Sequence, residues 1–235
     1  MAIFAIGDMH LSFGVDKPMN IFGENWENFE ERLKDNWIKK VKEDDLVILP
    51  GDFSWATYLK DTEKDFEFLN SLPGKKLLSK GNHDYWWTTI KSMNDYIEEK
   101  GFKDISFLMN NSYEYDGKVI VGTRGWALND TENASKMEER EGRRLELSIK
   151  DGIEKYGEDK EFIAVIHYPP LTKQMISRNE DSVYTKILKK YGIKKCLYAH
   201  LHSYAHQEAF EGIVDGIEYK LVSSDYLKFD PYEVK

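Results

Sequence analysis

Short apolar runs alternate with amphipathic stretches in the first hundred residues. Three runs predict buried strands, because each is brief and a glycine follows it closely: residues 3–6, 46–49 and 76–79. Apolar residues spaced three or four apart predict helices over 26–41, 61–72 and 87–99, the first with Asn25 as its cap. The order of strand and helix favours a largely parallel α/β sheet with buried strands.

The pattern changes after residue 100. Asp116-Gly117 lies between alternating apolar residues and predicts a hairpin over 113–122, and Asp215-Gly216 predicts a second hairpin. Further strands are predicted at 162–166 and 196–199, and further helices at 131–156 and 183–191. Without an internal repeat, linker or low-complexity tract, we expect one domain over 1–235.

Composition and charge narrow the class of protein. The chain has 235 residues, of which 41% are hydrophobic and 14% aromatic, and this composition excludes general disorder. A net charge of −9 disfavours nucleic acid as a partner, since phosphate affinity depends on clustered Lys and Arg. The net charge is compatible with a small phosphorylated substrate if metal ions supply local positive charge.

The compartment is suggested by what the sequence lacks. Cys196 is the single cysteine, so no intrachain disulfide forms and a reducing interior is expected. No apolar run approaches the roughly 20 residues of a membrane span, and the first residues lack the basic region of a signal peptide. We therefore expect a cytoplasmic protein with no membrane partner. The sequence does not indicate its oligomeric state.

Polar side chains of one kind follow the predicted strands. Aspartate, asparagine or histidine comes at or just beyond the ends of five strands: Asp8 and His10, Asp52, Asn82 and His83, His167, and His200 and His202. Ligands of open α/β sheets bind beyond the carboxyl ends of strands, so we expect these side chains at one edge. In Asp8-x-His10 and His200-x-His202, residues two apart on an extended segment project to the same side and can hold one ion.

The donor types indicate transition metals. Imidazole nitrogen mixed with carboxylate or amide oxygen suits Mn, Fe, Zn, Ni or Co better than Ca or Mg, which prefer oxygen alone. Each motif alone is weak evidence, since Gly-Asn-His-Asp also forms turns and a lone histidine also packs in cores. Their ordered joint occurrence favours a site, and their number fits two ions that share a carboxylate.

The whole series resembles a known superfamily. The order Asp-x-His, Gly-Asp, Gly-Asn-His-Asp, His and His-x-His, from Asp8 to His202, resembles the calcineurin-like metallophosphoesterases. The resemblance implies an α/β fold, a four-layer α-β-β-α sandwich with two mixed sheets flanked by helices. It places the metal site at the carboxyl-terminal ends of the strands.

The resemblance also implies roles for individual residues. Asp8, His10 and His202 would bind the first of two divalent ions, with manganese favoured, Asp52 would bridge both ions, and Asn82, His167 and His200 would complete the second. His83 would face the substrate and donate a proton to the leaving oxygen. A metal-bridging hydroxide would be the nucleophile of phosphate-ester hydrolysis.

Two positions depart from the pattern of the relatives. Trp55 stands where an acidic residue usually orients the catalytic histidine, and Asp84 is our candidate substitute in that catalytic role. Ala199 replaces the glycine that usually precedes His-x-His, a small change that we expect the site to tolerate. Arg124, just past a hairpin strand, is a candidate substrate-binding residue because its guanidinium can grip a phosphate with two hydrogen bonds. Four tryptophans lie in or just after the motif loops: Trp55, Trp86, Trp87 and Trp126. We expect them to pack against neighbouring loops, the alternative being that they stack a base or sugar of the substrate.

Three functions are compatible with this series of motifs. A small-molecule phosphodiesterase or phosphomonoesterase is favoured, because the chain is short and lacks the arginine that follows the second motif in protein phosphatases. A phosphoprotein phosphatase or nuclease of the same superfamily is the alternative, although a nuclease would need a basic groove. A non-catalytic interaction scaffold on this fold is disfavoured, since all the metal-ligand positions are filled.

Overall fold

Two β-sheets organise residues 1–128 and 131–235, the part of the chain that the computed structural model describes. The chain divides into two units, and each unit is built around one sheet. The first unit consists of Met1–Phe107 and Ser223–Lys235, and the second of Leu108–Val222. That residues 1–235 form a single metallophosphoesterase domain stays a prediction.

The regular elements fall in the order that the hydrophobic pattern predicts, with some additions. The strands are β1 (Ile3–Ala5), β2 (Leu46–Pro50), β3 (Lys75–Ser79), β4 (Ile105–Leu108), β5 (Tyr113–Tyr115), β6 (Lys118–Thr123), β7 (Glu161–Ile166), β8 (Lys195–Tyr198), β9 (Gly212–Val214), β10 (Ile217–Leu221) and β11 (Tyr232–Glu233). The helices are α1 (Phe29–Lys40), α2 (Glu63–Asn70), α3 (Ile90–Glu99), α4 (Glu132–Tyr156), α5 (Lys173–Arg178) and α6 (Val183–Lys190). β4, β11 and α5 are additions to the predicted set.

The sheet of the first unit has the strand order β11-β1-β2-β3-β4. β1, β2 and β3 are parallel to one another, whereas β11 runs antiparallel to β1. Every residue of β2 is buried, as expected for a strand covered on both faces. Because β1, β2 and β3 are parallel, the loops that follow them leave from the same edge of the sheet.

The sheet of the second unit has the strand order β5-β6-β7-β8-β10-β9. Its four central strands are parallel, and an antiparallel hairpin closes each end. Asp116 and Gly117 have φ angles of 50° and 80°, and Asp215 and Gly216 have 52° and 75°. Two positive φ angles in a row define the two-residue turn that joins twisted strands, and both predicted hairpins are confirmed.

The helices α1, α2 and α3 start later than their apolar periodicity predicts. α1 begins at Phe29 because Asn28 has a left-handed φ of 47°, and Trp26 lies before it in a short 3-10 turn. Asn25 is therefore not the cap, and that prediction is wrong. Trp26 is still buried, with its ring centroid 5.2 Å from those of both Phe29 and Phe229, which explains its place in the apolar pattern.

Side-chain caps fix the start of α3, α4, α5 and α6. α3 begins at Ile90, after Thr89 accepts a hydrogen bond from the Ser92 amide, and not at residue 87. α4 starts where the sequence predicts, with the Thr131 hydroxyl accepting from the Ala134 amide. The predicted helix over 61–72 is a 3-10 turn followed by α2. The architecture is α/β with two mixed sheets flanked by helices, which confirms the predicted fold class.

Candidate metal centre

The loops after β1 and β2 run side by side in the first unit. The Asp8 amide donates to the Gly51 carbonyl and the His10 amide to the Asp52 carbonyl, both at 2.9 Å. The Leu11 amide continues the series by donating to Phe53. These bonds extend the parallel pairing of β1 and β2 beyond the sheet, so the two predicted motifs Asp8-x-His10 and Gly51-Asp52 are held together by backbone.

Left-handed backbone marks the predicted ligands. Asp8, His10, Asp52 and His200 have φ angles of 55°, 48°, 52° and 76°. Residues other than glycine seldom adopt such values, and histidine does so less readily than aspartate or asparagine. Strained backbone of this kind accumulates at functional sites, where the surrounding structure enforces it. Four of the seven predicted ligands have this conformation, and each lies in a loop that follows a strand.

The side chains of Asp8, His10 and Asp52 converge in the first unit. A carboxylate oxygen of Asp8 and a ring nitrogen of His10 lie within 4.8 Å of each other. His10 Nε2 lies 3.8 Å from Asp52 Oδ2. All three side chains are buried, and this unusual concentration of buried polar donors is typical of a metal site.

The second unit brings its own predicted ligands together. His167 follows β7 directly and is buried, and His200 lies two residues beyond β8. A ring nitrogen of each lies within 4.8 Å of the other, and the ring centroids are 5.1 Å apart. His202 is half-buried at the start of a 3-10 turn over Ser203–Glu208. His167 and His200 therefore lie close together after β7 and β8, and His202 is the third predicted ligand that this unit contributes.

Gly81 allows the loop after β3 to approach Asp52. A Cβ atom at this position would lie 2.0 Å from Asp52 Oδ1 and 2.3 Å from the Asp52 amide nitrogen. Asp52 Oδ1 in turn accepts a hydrogen bond of 2.7 Å from the His83 amide. This hydrogen bond attaches the backbone of the predicted catalytic histidine to Asp52. Asn82 and His83 are both half-buried.

Asp84 binds the two loops into one structure. Its buried carboxylate accepts hydrogen bonds from the amides of Asp52 at 2.8 Å, Phe53 at 2.9 Å and Gly81 at 2.7 Å, and from the Trp86 indole at 2.9 Å. Burial, together with the neighbouring Asp52 carboxylate, raises the pKa of Asp84. These contacts give Asp84 a positioning task, while its role as the partner of His83 stays a prediction.

Trp55 is the aromatic neighbour of both histidines in the first unit. Its ring centroid lies 4.8 Å from that of His10 and 4.4 Å from that of His83. The ammonium of Lys17 lies 3.5 Å from the indole centroid, and the indole nitrogen lies 2.9 Å from the Met19 sulfur. Where the relatives carry an acid, this chain therefore presents an aromatic ring with a cation on it.

Two charged residues here were not singled out from the sequence. Lys17 has no motif around it, and its position on Trp55 depends on the tertiary fold. Glu141 lies in a helix rich in charged residues, but its side chain is buried at 1% exposure. A signal was present, because Glu141 lies four residues before Leu145 on the apolar stripe of α4.

A comparison with protein families now gives the class. The model of the calcineurin-like phosphoesterases matches residues 1–204, and the chain belongs to this family. The family acts on phosphate esters, and the histidine and carboxylate donors of both units suit divalent transition metals. No curated protein matches the chain.

Solved structures support the fold. Protein AQ665 of unknown function from Aquifex aeolicus is 18% identical, with a TM-score of 0.53 over 99% of this chain and 95% of its own. TT1561 of Thermus thermophilus is 15% identical, with a TM-score of 0.59 over 92% of this chain and 86% of its own. At these identities the likeness concerns the fold alone.

The helices bear on the prediction that the chain does not span a membrane. Within residues 1–128 and 131–235, no helix combines the length and the apolar character that crossing a bilayer requires. The cytoplasmic location stays a prediction.

Proposed function

We propose that this protein is a dinuclear-metal-dependent hydrolase of phosphate esters, acting on small molecules as a phosphodiesterase or phosphomonoesterase. The observation that carries the proposal is the convergence of buried Asp8, His10 and Asp52 on strained loops of a calcineurin-like phosphoesterase. A buried set of this kind is costly for a protein to maintain without a bound cation. The chemistry of the donors favours Mn, Fe, Zn, Ni or Co, with manganese first.

The proposed ligands follow the order of the family motifs. Asp8, His10 and His202 would hold the first ion, Asp52 would be shared by both ions, and Asn82, His167 and His200 would hold the second. Two distances support this division: the 3.8 Å between His10 Nε2 and Asp52 Oδ2, and the separation of at most 4.8 Å between donor nitrogens of His167 and His200.

The chain's own residues complete the proposed chemistry. Bound divalent ions would polarise the phosphoryl oxygens and supply an activated water at neutral pH. His83 donates a proton from its imidazole to the leaving oxygen, and the hydrogen bond from its amide to Asp52 Oδ1 fixes it beside the ligands. Trp55 limits the orientation of the His83 ring from one side and so takes the part that an acid plays in relatives.

The test compares metal-stripped protein with its Asp52→Asn variant. Asparagine can still accept the hydrogen bond from the His83 amide, so the variant removes the charge with little change of shape. With added Mn²⁺, we expect the parent protein to hydrolyse a chromogenic phosphodiester or the matching monoester. We expect a loss of at least about 100-fold in kcat for Asp52→Asn. The ratio of diester to monoester turnover then assigns the substrate class.

Two controls make the test decisive. Asp95→Asn changes an exposed aspartate paired with Lys91 and is expected to leave turnover unchanged. Calorimetric titration with Mn²⁺ measures metal binding without substrate, and Asp52→Asn is expected to weaken it. Equal manganese binding and equal turnover in Asp52→Asn and the parent protein would overturn the proposal.

A further inference from the structure

Glu141 is a buried carboxylate in the middle of α4. Its side chain is 1% exposed, and it lies on the face of the helix that packs against β6. The Thr123 hydroxyl donates to Glu141 Oε2 at 2.6 Å, and Arg144 Nη1 donates to Glu141 Oε1, also at 2.6 Å. A buried charge needs such partners, and Thr123 and Arg144 supply them.

A second arginine faces the same carboxylate. Arg124 Nη2 lies 3.8 Å from Glu141 Oε1, close enough for electrostatic attraction but too far for a hydrogen bond. Two guanidinium groups therefore share the Glu141 carboxylate. Arg124 Nε is buried with no hydrogen-bond partner among residues 1–128 and 131–235. An arginine that has an unused donor, and that shares its carboxylate with a second arginine, is suited to an incoming anion.

Aromatic rings connect this cation to a predicted metal ligand. The Arg124 guanidinium carbon lies 4.7 Å from the ring centroid of Trp126, which is 6.0 Å from that of Tyr168. The Tyr168 ring in turn lies 4.1 Å from the ring of His200. A ligand whose phosphoryl group is near His200 can therefore extend over two aromatic rings towards Arg124.

We propose that Arg124 is the anion-binding residue of a subsite for a second anionic group of the substrate, a phosphate or carboxylate. Glu141 is a positioning residue that holds Arg124 and Arg144, and the rings of Trp126 and Tyr168, inclined by 35° to each other, provide aromatic surface for a planar group such as a nucleobase. The inference rests on the proposed function, and it names the substrate as a phosphate ester with a further oxyanion.

Binding of inorganic pyrophosphate to metal-stripped protein tests the subsite without catalysis. Calorimetry is expected to detect binding by the parent protein and a loss of about tenfold or more in affinity for Arg124→Gln, the effect of one charge-assisted contact. Arg124→Lys keeps the positive charge but loses the planar guanidinium that can donate two parallel hydrogen bonds, so an intermediate affinity is expected. Arg143→Gln is the matched control, because Arg143 is exposed on the same helix as Glu141 and pairs with Glu139.

A pair of chromogenic diesters tests the subsite during turnover. Thymidine 5′-(p-nitrophenyl phosphate) and its 3′-phosphorylated form differ by one anionic group. With Mn²⁺, Arg124→Gln is expected to lower kcat/KM about tenfold for the 3′-phosphorylated ester and less than about twofold for the other. An unchanged ratio of kcat/KM together with unchanged pyrophosphate affinity would overturn the subsite.

The outcomes separate this inference from the proposed function. If Asp52→Asn abolishes turnover while the pyrophosphate affinity of Arg124→Gln equals that of the parent protein, the hydrolase stands and the subsite is wrong. If the metal-stripped protein binds pyrophosphate through Arg124 but shows no manganese-dependent turnover, the anion site stands and the hydrolase is wrong.

Discussion

The indole of Trp55 stacks on the imidazole of His10, with centroids 4.8 Å apart and planes inclined by 22°. The same indole contacts His83 from another direction, and Lys17 places its ammonium on the ring. In many members of the calcineurin-like superfamily, an acidic residue at this position orients the catalytic histidine and favours its protonated form. In this chain the indole of Trp55 packs against both imidazole rings instead.

We predict that Trp55→Ala lowers manganese-dependent kcat by about tenfold. The substitution removes two aromatic contacts, each of which contributes about 0.5–1.5 kcal/mol, and frees the His83 ring. Trp55→Phe keeps an aromatic ring and is expected to retain activity within about threefold of the parent protein. Tyr204→Ala removes an exposed aromatic residue and serves as the control. Full activity of Trp55→Ala would refute the positioning role.

We predict that Gly81→Ala abolishes turnover by displacing Asp52. The added Cβ would lie 2.3 Å from the Asp52 amide nitrogen. Because this is a backbone atom, a change of side-chain rotamer cannot relieve the clash. Manganese affinity measured by calorimetry should fall together with kcat. Gly117→Ala is the control, because its φ of 80° is unsuited to alanine but nothing lies within 4 Å of the new methyl group. A normal manganese affinity in Gly81→Ala would contradict the prediction.

We predict that Asp84→Asn destabilises the fold by about 3 kcal/mol. The carboxylate accepts hydrogen bonds from four backbone amides and the Trp86 indole, and an asparagine NH₂ group would face amide donors. Urea unfolding measures the loss. Asp95→Asn, at an exposed pair with Lys91, should change the free energy of unfolding by less than about 0.5 kcal/mol. Similar values for the two variants would show that the Asp84 contacts contribute little.

Local signals were sufficient for much of the fold. Asp116-Gly117 and Asp215-Gly216 determine their own turn geometry, so both hairpins follow from two residues each. The late start of α1 is not local, because Trp26 owes its place in the apolar stripe to packing against Phe229, near the other end of the chain. α5 buries no residue, and it therefore leaves no periodic pattern in the sequence.

The candidate site also combines features that local motifs predict with features that depend on the tertiary fold. Asp8, His10, Asp52, His167 and His200 could be predicted because each follows a strand, and all but His167 belong to a short motif. The hydrogen bonds of Asp84 depend on which loops meet, and no spacing encodes this, whereas the place of Glu141 on the apolar stripe of α4 signals its burial. Lys17 on Trp55 is the same kind of contact, since it joins residues far apart in the sequence.

The buried carboxyl of Asp65 predicts a pH dependence of stability away from the site. Burial raises the pKa of Asp65 to about 6 from an ordinary value of 3.8, and hydrogen bonds from the Ser54 hydroxyl and the Phe13 amide oppose the shift only in part. Between pH 3.8 and 6 the folded state therefore binds more protons than the unfolded state. Stability due to this group must then fall as the pH rises.

Asp65→Asn removes this titration and keeps a carbonyl oxygen for the Phe13 amide. We predict that the free energy of unfolding of the parent protein, measured relative to Asp65→Asn, falls by about 3 kcal/mol between about pH 3 and pH 7. Urea unfolding of both proteins at intervals of about one pH unit measures the difference. Most of the change should come between about pH 4 and 6. A difference that is constant over this range, or that grows with pH, would show that burial does not raise the pKa of Asp65.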